Sequence, residues 1–334
     1  MKALALISGG LDSLLAARLV KDQGIGIIAL NFHMPFCSRE EKFSYGCPDS
    51  VRAVADYLGV ELKVINIVDE FLSVLENPGH GYGANLNPCI DCKILMLRKC
   101  KELLEEFGAG FVVTGEVLGQ RPMSQHRQAL VTIEKESGIE GLILRPLCAK
   151  LLEETIPEKN KWVDRVRLLD LNGRSRKPQM QLARDFGFHD YANPAGGCLL
   201  TDPRFAIRVK DLISHKELDA GNVELLKVGR HFRVSDRAKL VVGRDEKENE
   251  RLLGLARRGD FIFMPPDDVA GATALGRGAF NDELIRGACA ITGRYFDRGG
   301  NPDAEISYKI FPDEREYRLT VPVMREEDIV KLRI

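Results

Sequence analysis

No apolar run among the 334 residues is long enough to cross a membrane, and Met1-Lys2-Ala3-Leu4 leads into strand-like sequence instead of a signal peptide. Both absences lead to the expectation of a cytoplasmic protein. Charge of one sign is also missing: 48 Lys and Arg stand against 49 Asp and Glu, a net charge of −1. No basic half hides in that balance, with 25 basic against 26 acidic residues up to residue 205 and 23 against 23 after it. A nucleic-acid surface must then be a local patch. Candidates are Arg121-His126-Arg127, Arg174-Arg176-Lys177 and Arg230-Arg233-Arg237-Lys239, each equally readable as a solvated face. There is no low-complexity tract and no convincing internal repeat. At 44% hydrophobic and 29% charged residues, the chain is long enough for two domains with real cores.

The first two hundred residues alternate between two patterns. Short apolar runs rich in Val, Ile and Leu predict strands at 3–7, 26–32, 61–67, 111–115 and 141–144. Helical patterns fall at 12–23, 49–58, 89–107 and 177–185, the third ending at Gly108 as a C-terminal glycine would. Such alternation predicts an α/β fold, a doubly wound parallel sheet with ligands beyond the strands' carboxyl ends. From about Ile207 the pattern changes. Extended stretches at 223–234, 239–242 and 304–319, an extended C-terminus, a helix at 246–257 and a loop-rich 265–278 predict a smaller α+β domain. The expected division is 1–205 and 206–334.

Between the first strand and first helix lies Ser8-Gly9-Gly10-Leu11-Asp12-Ser13-Leu14. Two glycines allow a sharp turn and bring backbone N–H groups close to a ligand, while the helix start adds a positive dipole end that favours phosphate. Ser8 and Ser13 add hydroxyls, and Asp12 can orient a metal ion or a reacting group. Neither Gly-x-x-x-x-Gly-Lys-[Ser/Thr] nor Gly-x-Gly-x-x-Gly is present in this loop. It resembles instead the Ser-Gly-Gly-x-Asp-Ser loop of the PP-loop ATP pyrophosphatases, which cleave ATP to AMP and pyrophosphate. Two further runs end strands: Phe32-His33-x-Pro35, where His33 is a candidate for adenine or ribose, and Thr114-Gly115-Glu116-x-Leu118-Gly119-Gln120. With Leu144-Arg145-Pro146-Leu147 they resemble the corresponding runs of the tRNA 4-thiouridine synthetases, over roughly residues 3–202. Those enzymes activate a uridine carbonyl and replace its oxygen with sulfur. Their N-terminal THUMP region and C-terminal rhodanese domain have no counterpart in these 334 residues, so tRNA capture and the persulfide donor depart from the family pattern.

Eight cysteines in a reducing compartment point to metal or redox chemistry more than to disulfides. In Asn87-Pro88-Cys89-Ile90-Asp91-Cys92, Asn87 suits a helix N-cap and Pro88 the first helical position. Cys89 and Cys92 then share one face of a first turn, where the dipole lowers thiol pKa. Cys198, after Gly196-Gly197, is the expected third ligand. This set resembles that of the cluster-dependent tRNA thiolases, implying a 4Fe-4S cluster with one open iron; a persulfide or a zinc half-site is the alternative. Cys37 and Cys47 could add ligands, while Cys100, Cys148 and Cys289 read as small buried hydrophobes.

Lys239–Glu246 into Glu248-Asn249 faintly resembles the RNA-binding region of NFACT-type proteins; a structural or dimerising role, as in a homodimer, is the other reading. Together these runs predict an ATP-dependent tRNA sulfurtransferase. ATP would lie on Ser8, Gly9, Gly10, Asp12, Ser13, His33, Thr114 and Gly115 with Mg²⁺ near Asp12. Sulfide held on the cluster, or a persulfide on Cys89 or Cys198 loaded by a persulfide carrier such as a cysteine desulfurase, would supply the sulfur. RNA contacts are expected at Gln120, Arg121, Arg174, Arg176 and Lys177. Alternatives are 2-thiolation of the wobble uridine, a non-thiolating PP-loop ligase or amidase, and a non-enzymatic RNA-binding protein.

Overall fold

A computed structural model describes residues 1–36, 48–188 and 198–334. The chain divides into two compact units, Met1–Pro203 and Arg204–Ile334. Cys37, Cys47 and residues 189–197, including Gly196 and Gly197, lie outside the described residues.

In the first unit the elements are β1 (Lys2–Leu6), α1 (Leu11–Lys21), β2 (Gly26–His33), α2 (Pro48–Leu58), β3 (Glu61–Asn66), α3 (Val68–Glu76), α4 (Cys89–Glu106), β4 (Phe111–Val113), α5 (Arg127–Ser137), β5 (Ile143–Leu144), α6 (Ile156–Lys159) and α7 (Lys177–Asp185). The strands form one parallel sheet in the order β3-β2-β1-β4-β5. Period-two alternation sends successive residues to opposite faces. Ala3, Ala5, Ala29 and Val113 meet α1, α2 and α7 on one side. Leu4, Leu30, Val112 and Ile143 meet α4 and α5 on the other. Two buried faces explain why the strands read as continuous apolar runs, and the sheet is doubly wound. Strand order turns back between β1 and β4, β2 and β3 lying to one side and β5 to the other, so the carboxyl ends of this parallel pair open a crevice for ligand.

The second unit begins with most of α8 (Pro203–Ser214), followed by α9 (Ala220–Leu226), β6 (Arg230–Ser235), β7 (Ala238–Val242), α10 (Glu246–Gly254), β8 (Phe261–Met264), β9 (Ala274–Gly278), α11 (Asp282–Gly293), β10 (Asp303–Ile310), β11 (Tyr317–Pro322) and α12 (Glu326–Leu332). Its sheet is antiparallel, ordered β11-β10-β8-β9-β7-β6. One core includes Phe232, Phe263 and Ile306 of the sheet and Ala288 of α11; another includes Val241 and Ile262 of the sheet, Leu225 of α9 and Leu252 of α10.

Three sequence expectations change here. Residues 223–226 are helical, because the Asp219 side chain caps the Asn222 N–H and starts α9. The C-terminus closes as α12 with Ile329 buried, where an extended segment was expected. Within the expected loop at 265–278, Ala274–Gly278 is β9, paired on both sides by β7 and β8. Burial against neighbours outweighed local propensity there.

Candidate functional site

The crevice beyond β1 and β4 holds a cavity of about 220 Å³. Ser8, Gly10, Asp12 and Ser13 line one wall, Thr114 and Gly115 another, and Cys89, Cys92, Arg121, Arg176 and Cys198 also face it. His33 is not part of the lining; Phe32 and Met34, its neighbours along the strand, are. Gly9, Gln120, Arg174 and Lys177 lie outside it too.

The phosphate-type loop is braced from within. Ser13 Oγ donates to the Gly10 carbonyl at 2.8 Å and accepts from the Ser8 N–H and hydroxyl, each at 3.3 Å. Ser13 is thus spent largely on loop shape. Gly9 has φ +76°, and a Cβ there would lie 2.7 Å from Ser50 Cβ. Gly115 is tighter: a Cβ would stand 2.5 Å from the Asp12 carbonyl carbon and the Ser13 nitrogen. The β4 turn therefore rests on the loop backbone itself, a role the sequence does not announce.

Asp12 occupies the first turn of α1. Its Oδ2 accepts from Gln120 Nε2 at 2.7 Å and from an Arg176 NH2 at 3.2 Å, and Gln179 donates to Gln120 Oε1 at 3.2 Å. Oδ1 is enclosed and has no hydrogen-bond partner. One oxygen is held and the other is directed by that hold, the donor set expected of a carboxylate that would hold Mg²⁺ beside phosphates. Gln120 and Arg176, expected as RNA contacts, are turned onto Asp12, whereas Arg174 and Lys177 are exposed.

A buried ion network underlies the cysteine-bearing helix. Lys93 pairs with Glu116 Oε1, Arg145 Nε donates to Glu116 Oε2 at 2.8 Å, and Arg145 also pairs with Glu134. Burial alone would raise Glu116, but Lys93 and Arg145 overcome it and hold the carboxyl down at about 2. The network joins residues of α4, the β4 turn, α5 and the β5 end. Glu116 and Arg145 were visible as motif members, but their partnership across the fold was not.

Helix α4 starts at Cys89 with Pro88 at the N-cap; Asn87 does not cap it, and its Oδ1 accepts from the Cys89 thiol at 3.1 Å. Burial pushes the Cys89 thiol up, partly offset by Lys93 and Arg121, so the lowering expected from the helix dipole is overridden by desolvation. Cys92 Sγ lies 3.7 Å from Met34 Sδ. Cys89, Cys92 and Cys198 face one cavity, yet among the described residues no three His, Cys, Asp or Glu stand close enough to hold a metal ion. As placed, they do not fit the expected cluster. Cys100, Cys148 and Cys289 are buried, with thiols pushed up to about 12, 11 and 12 by desolvation.

A nucleotide-type crevice at the β1–β4 switch, entered by a Ser-Gly-Gly-x-Asp-Ser loop, defines a PP-loop domain. Residues 1–161 match the model of the family described as thiamine biosynthesis protein (ThiI), and residues 229–333 that of the NFACT protein RNA binding domain. Over the stretch these comparisons match, the N-terminal unit is similar to the PP-loop tRNA-thiolation proteins. A tRNA-specific 2-thiouridylase, MnmA 2 of Clostridium botulinum, is 30% identical over 158 residues, covering 46% of this chain and 44% of that protein. A probable tRNA sulfurtransferase of Agathobacter rectalis is 30% identical over 165 residues, covering 48% and 39%. The matched stretch spans less than half the length of these curated relatives. A crystal structure of a 4-thiouridine synthetase–RNA complex with bound ATP overlaps 68% of this chain and 52% of that chain at 20% identity, with a TM-score of 0.36.

Proposed function

We propose that this protein is an ATP-dependent tRNA sulfurtransferase that makes 4-thiouridine. The observation that carries the reading is convergence: the braced loop, Asp12, the β4 turn and three cysteines from distant parts of the sequence face one cavity. ATP phosphates lie on the loop amides at the α1 N-terminus, where backbone N–H groups and the dipole favour anions. Asp12 Oδ1 would hold Mg²⁺, which supplies charge neutralisation of the phosphates when bound. The uridine, extruded from its stack at a cost of a few kcal/mol, presents its carbonyl oxygen to the α-phosphorus. A P–O bond forms, the bond to pyrophosphate breaks, and an adenylated base results. A sulfur nucleophile then attacks the ring carbon, and AMP leaves with the original oxygen. Hydrosulfide gives the thiocarbonyl directly on loss of its proton, whereas a persulfide on Cys89 or Cys198 first forms a mixed disulfide with the base. That S–S bond breaks when a second cavity cysteine attacks the protein sulfur, leaving a protein disulfide that an external thiol reduces. No step is routed through an iron–sulfur cluster, given the cysteine placement. The C-terminal unit supplies RNA affinity, a role supported by its match to an RNA-binding family.

A second reading, thiolation at carbon 2, is favoured by the 2-thiouridylases among the relatives. Anaerobically purified protein incubated with tRNA, ATP and sulfide separates the readings by nucleoside analysis. New 4-thiouridine supports the proposal, and new 2-thiouridine moves the site of reaction. Pyrophosphate release without any thionucleoside, unchanged by alanine at Cys89, Cys92 and Cys198, identifies a non-thiolating adenylating enzyme. Absence of tRNA-stimulated pyrophosphate release leaves an RNA-binding protein.

A further inference from the structure

The basic residues of the stretch Arg230-Arg233-Arg237-Lys239 separate in the folded second unit. Arg233 is engaged by Asp211 and Glu217, Lys239 is buried, and Arg237 stands in solvent. Arg230 lines an open groove of about 790 Å³, together with Arg244, Glu246, Arg294, Tyr295 and Asp297. All six lie within the region matched by the RNA-binding family.

The groove is built on fixed backbone. Arg230 opens β6 and Arg244 follows β7, and each guanidinium is hooked across that strand pair. Arg230 donates to the Gly243 carbonyl and Arg244 to the Gly229 carbonyl, both at 2.9 Å. The Arg230 guanidinium also lies 4.6 Å from the ring centre of Tyr295, just past the end of α11. Next to Tyr295, Phe296 is bridged to Gly271, where a Cβ would overlap its ring, and the Asp297 N–H donates to the Ala270 carbonyl at 2.8 Å. Asn249 of α10 closes the floor, its Oδ1 accepting from the Thr273 N–H at 2.9 Å in space that a Cβ on Gly243 would take.

Arg294 pairs with Glu326, and Arg244 lies 3.5 Å from Glu248. Arg230, Glu246 and Asp297 have no ion pair among the described residues, although they share one groove. Unlike charges that share a groove without meeting suit a ligand that carries both donors and acceptors. A bare run of phosphates fits poorly, because Glu246 and Asp297 repel it. A nucleobase fits, since its face stacks on an aromatic ring or a guanidinium plane and its edge makes hydrogen bonds. Guanine matches both signs: O6 and N7 accept from arginine, while N1–H and the N2 amino group donate together to a carboxylate. Adenine and cytosine lack the imino N–H, and uracil lacks the amino group. Those guanine donors are open only where the base is unpaired. We infer that this groove holds one unpaired guanine of an RNA strand, stacked on the Arg230–Tyr295 platform, with its acceptor edge toward Arg244 and its donor edge on Asp297. The inference rests on the RNA role proposed for the C-terminal unit and is independent of the thiolation chemistry.

The test uses the full chain and fluorescein-labelled single-stranded RNA, a uridine run of about twelve nucleotides with the central base varied, read by fluorescence anisotropy. A central guanine should bind about tenfold tighter than adenine, cytosine or uracil. Asp297→Asn, at an exposed position, should cut that preference to about twofold or less and leave affinity for the all-uridine strand within about twofold. Tyr295→Leu should weaken the guanine strand about fivefold or more, and Tyr295→Phe should restore it because the ring remains. If Tyr295→Leu does not fold, Asp297→Asn decides alone: an unchanged guanine preference overturns the inference. Guanosine monophosphate that competes as strongly as the guanine strand assigns the groove to a free nucleotide and overturns the RNA occupant. Strands that bind without base preference, or fail to bind while tRNA binds, overturn the groove assignment and leave the RNA role of the unit standing. Failure to bind any RNA, tRNA included, overturns both.

Discussion

Replacing Gly115 by alanine puts one methyl group where the β4 turn touches the phosphate loop. The added carbon would lie 2.5 Å from the Asp12 carbonyl carbon, 2.5 Å from the Ser13 nitrogen and 2.7 Å from the Asp12 oxygen. Carbon contacts are comfortable near about 3.5 Å, so roughly 1 Å must be opened. All three atoms are backbone at the start of α1, and no rotamer change can relieve the overlap. The loop must move away from β4, carrying Asp12 and the amides that would hold phosphate. A displacement of that size costs on the order of 100-fold in rate when it misplaces reacting groups. The same overpacking should cost about 1–3 kcal/mol of stability, which lowers the melting temperature by roughly 2–4 °C per kcal/mol in a unit of this size. The assay is tRNA-dependent pyrophosphate release alongside a thermal melt. Gly287→Ala is the control: it lies inside α11, an added Cβ there has nothing within 4 Å, and it should keep the rate while gaining about 0.5–1 kcal/mol. Wild-type rate and melting temperature in Gly115→Ala would refute the close-approach role.

Three other perturbations follow from the buried charges and thiols. Glu116 is held at about 2, below its ordinary value, so its stabilisation of about 3 kcal/mol is in place above about pH 4.5 and is lost as pH falls from there toward 2. Glu116→Gln strands Lys93 and Arg145, should cost about 3–5 kcal/mol at neutral pH and should flatten that acid limb; an unchanged acid midpoint would show the network to be inert. Lys239 is 4% exposed, its amine makes no hydrogen bond, and Asp211 3.9 Å away already accepts from Arg233. Burial depresses this amine to about 8, so Lys239→Met should stabilise the second unit by about 1–2 kcal/mol below pH 8, with the gain fading toward pH 10.5. Denaturant melts at both pH values test it, and destabilisation at pH 7 would contradict it. Cys89, raised by burial but half-exposed, should react with iodoacetamide slowly at pH 7, faster as pH rises, and ahead of the deeply buried Cys100, Cys148 and Cys289. Rapid labelling of Cys89 that does not vary with pH would show a thiolate the structure does not support.

The sequence alone determined what depends on near neighbours along the chain. Apolar runs at 3–7 and 26–32 could only be strands buried on both faces, and their alternation with helical periods led to the doubly wound sheet. The loop at Ser8–Ser13 follows the same rule, because a strand, two glycines and a helix start within eleven residues define an anion-binding turn. Pairing across the fold was decided only by tertiary structure. Asp12 meets Gln120 and Arg176, 108 and 164 residues away, and Glu116 takes its partners from α4 and the end of β5. Nothing local in Gly115 shows that it presses on backbone a hundred residues earlier. Cys89 looks activated when only its helix end is considered, yet desolvation raises it, and burial is a property of the whole fold. The same limit explains 223–226, 274–278 and the C-terminus, where helix or strand was chosen by which neighbour could cover the apolar side chains. Periodicity is written in the chain, whereas partners, dielectric and close approach exist only once the chain has closed on itself.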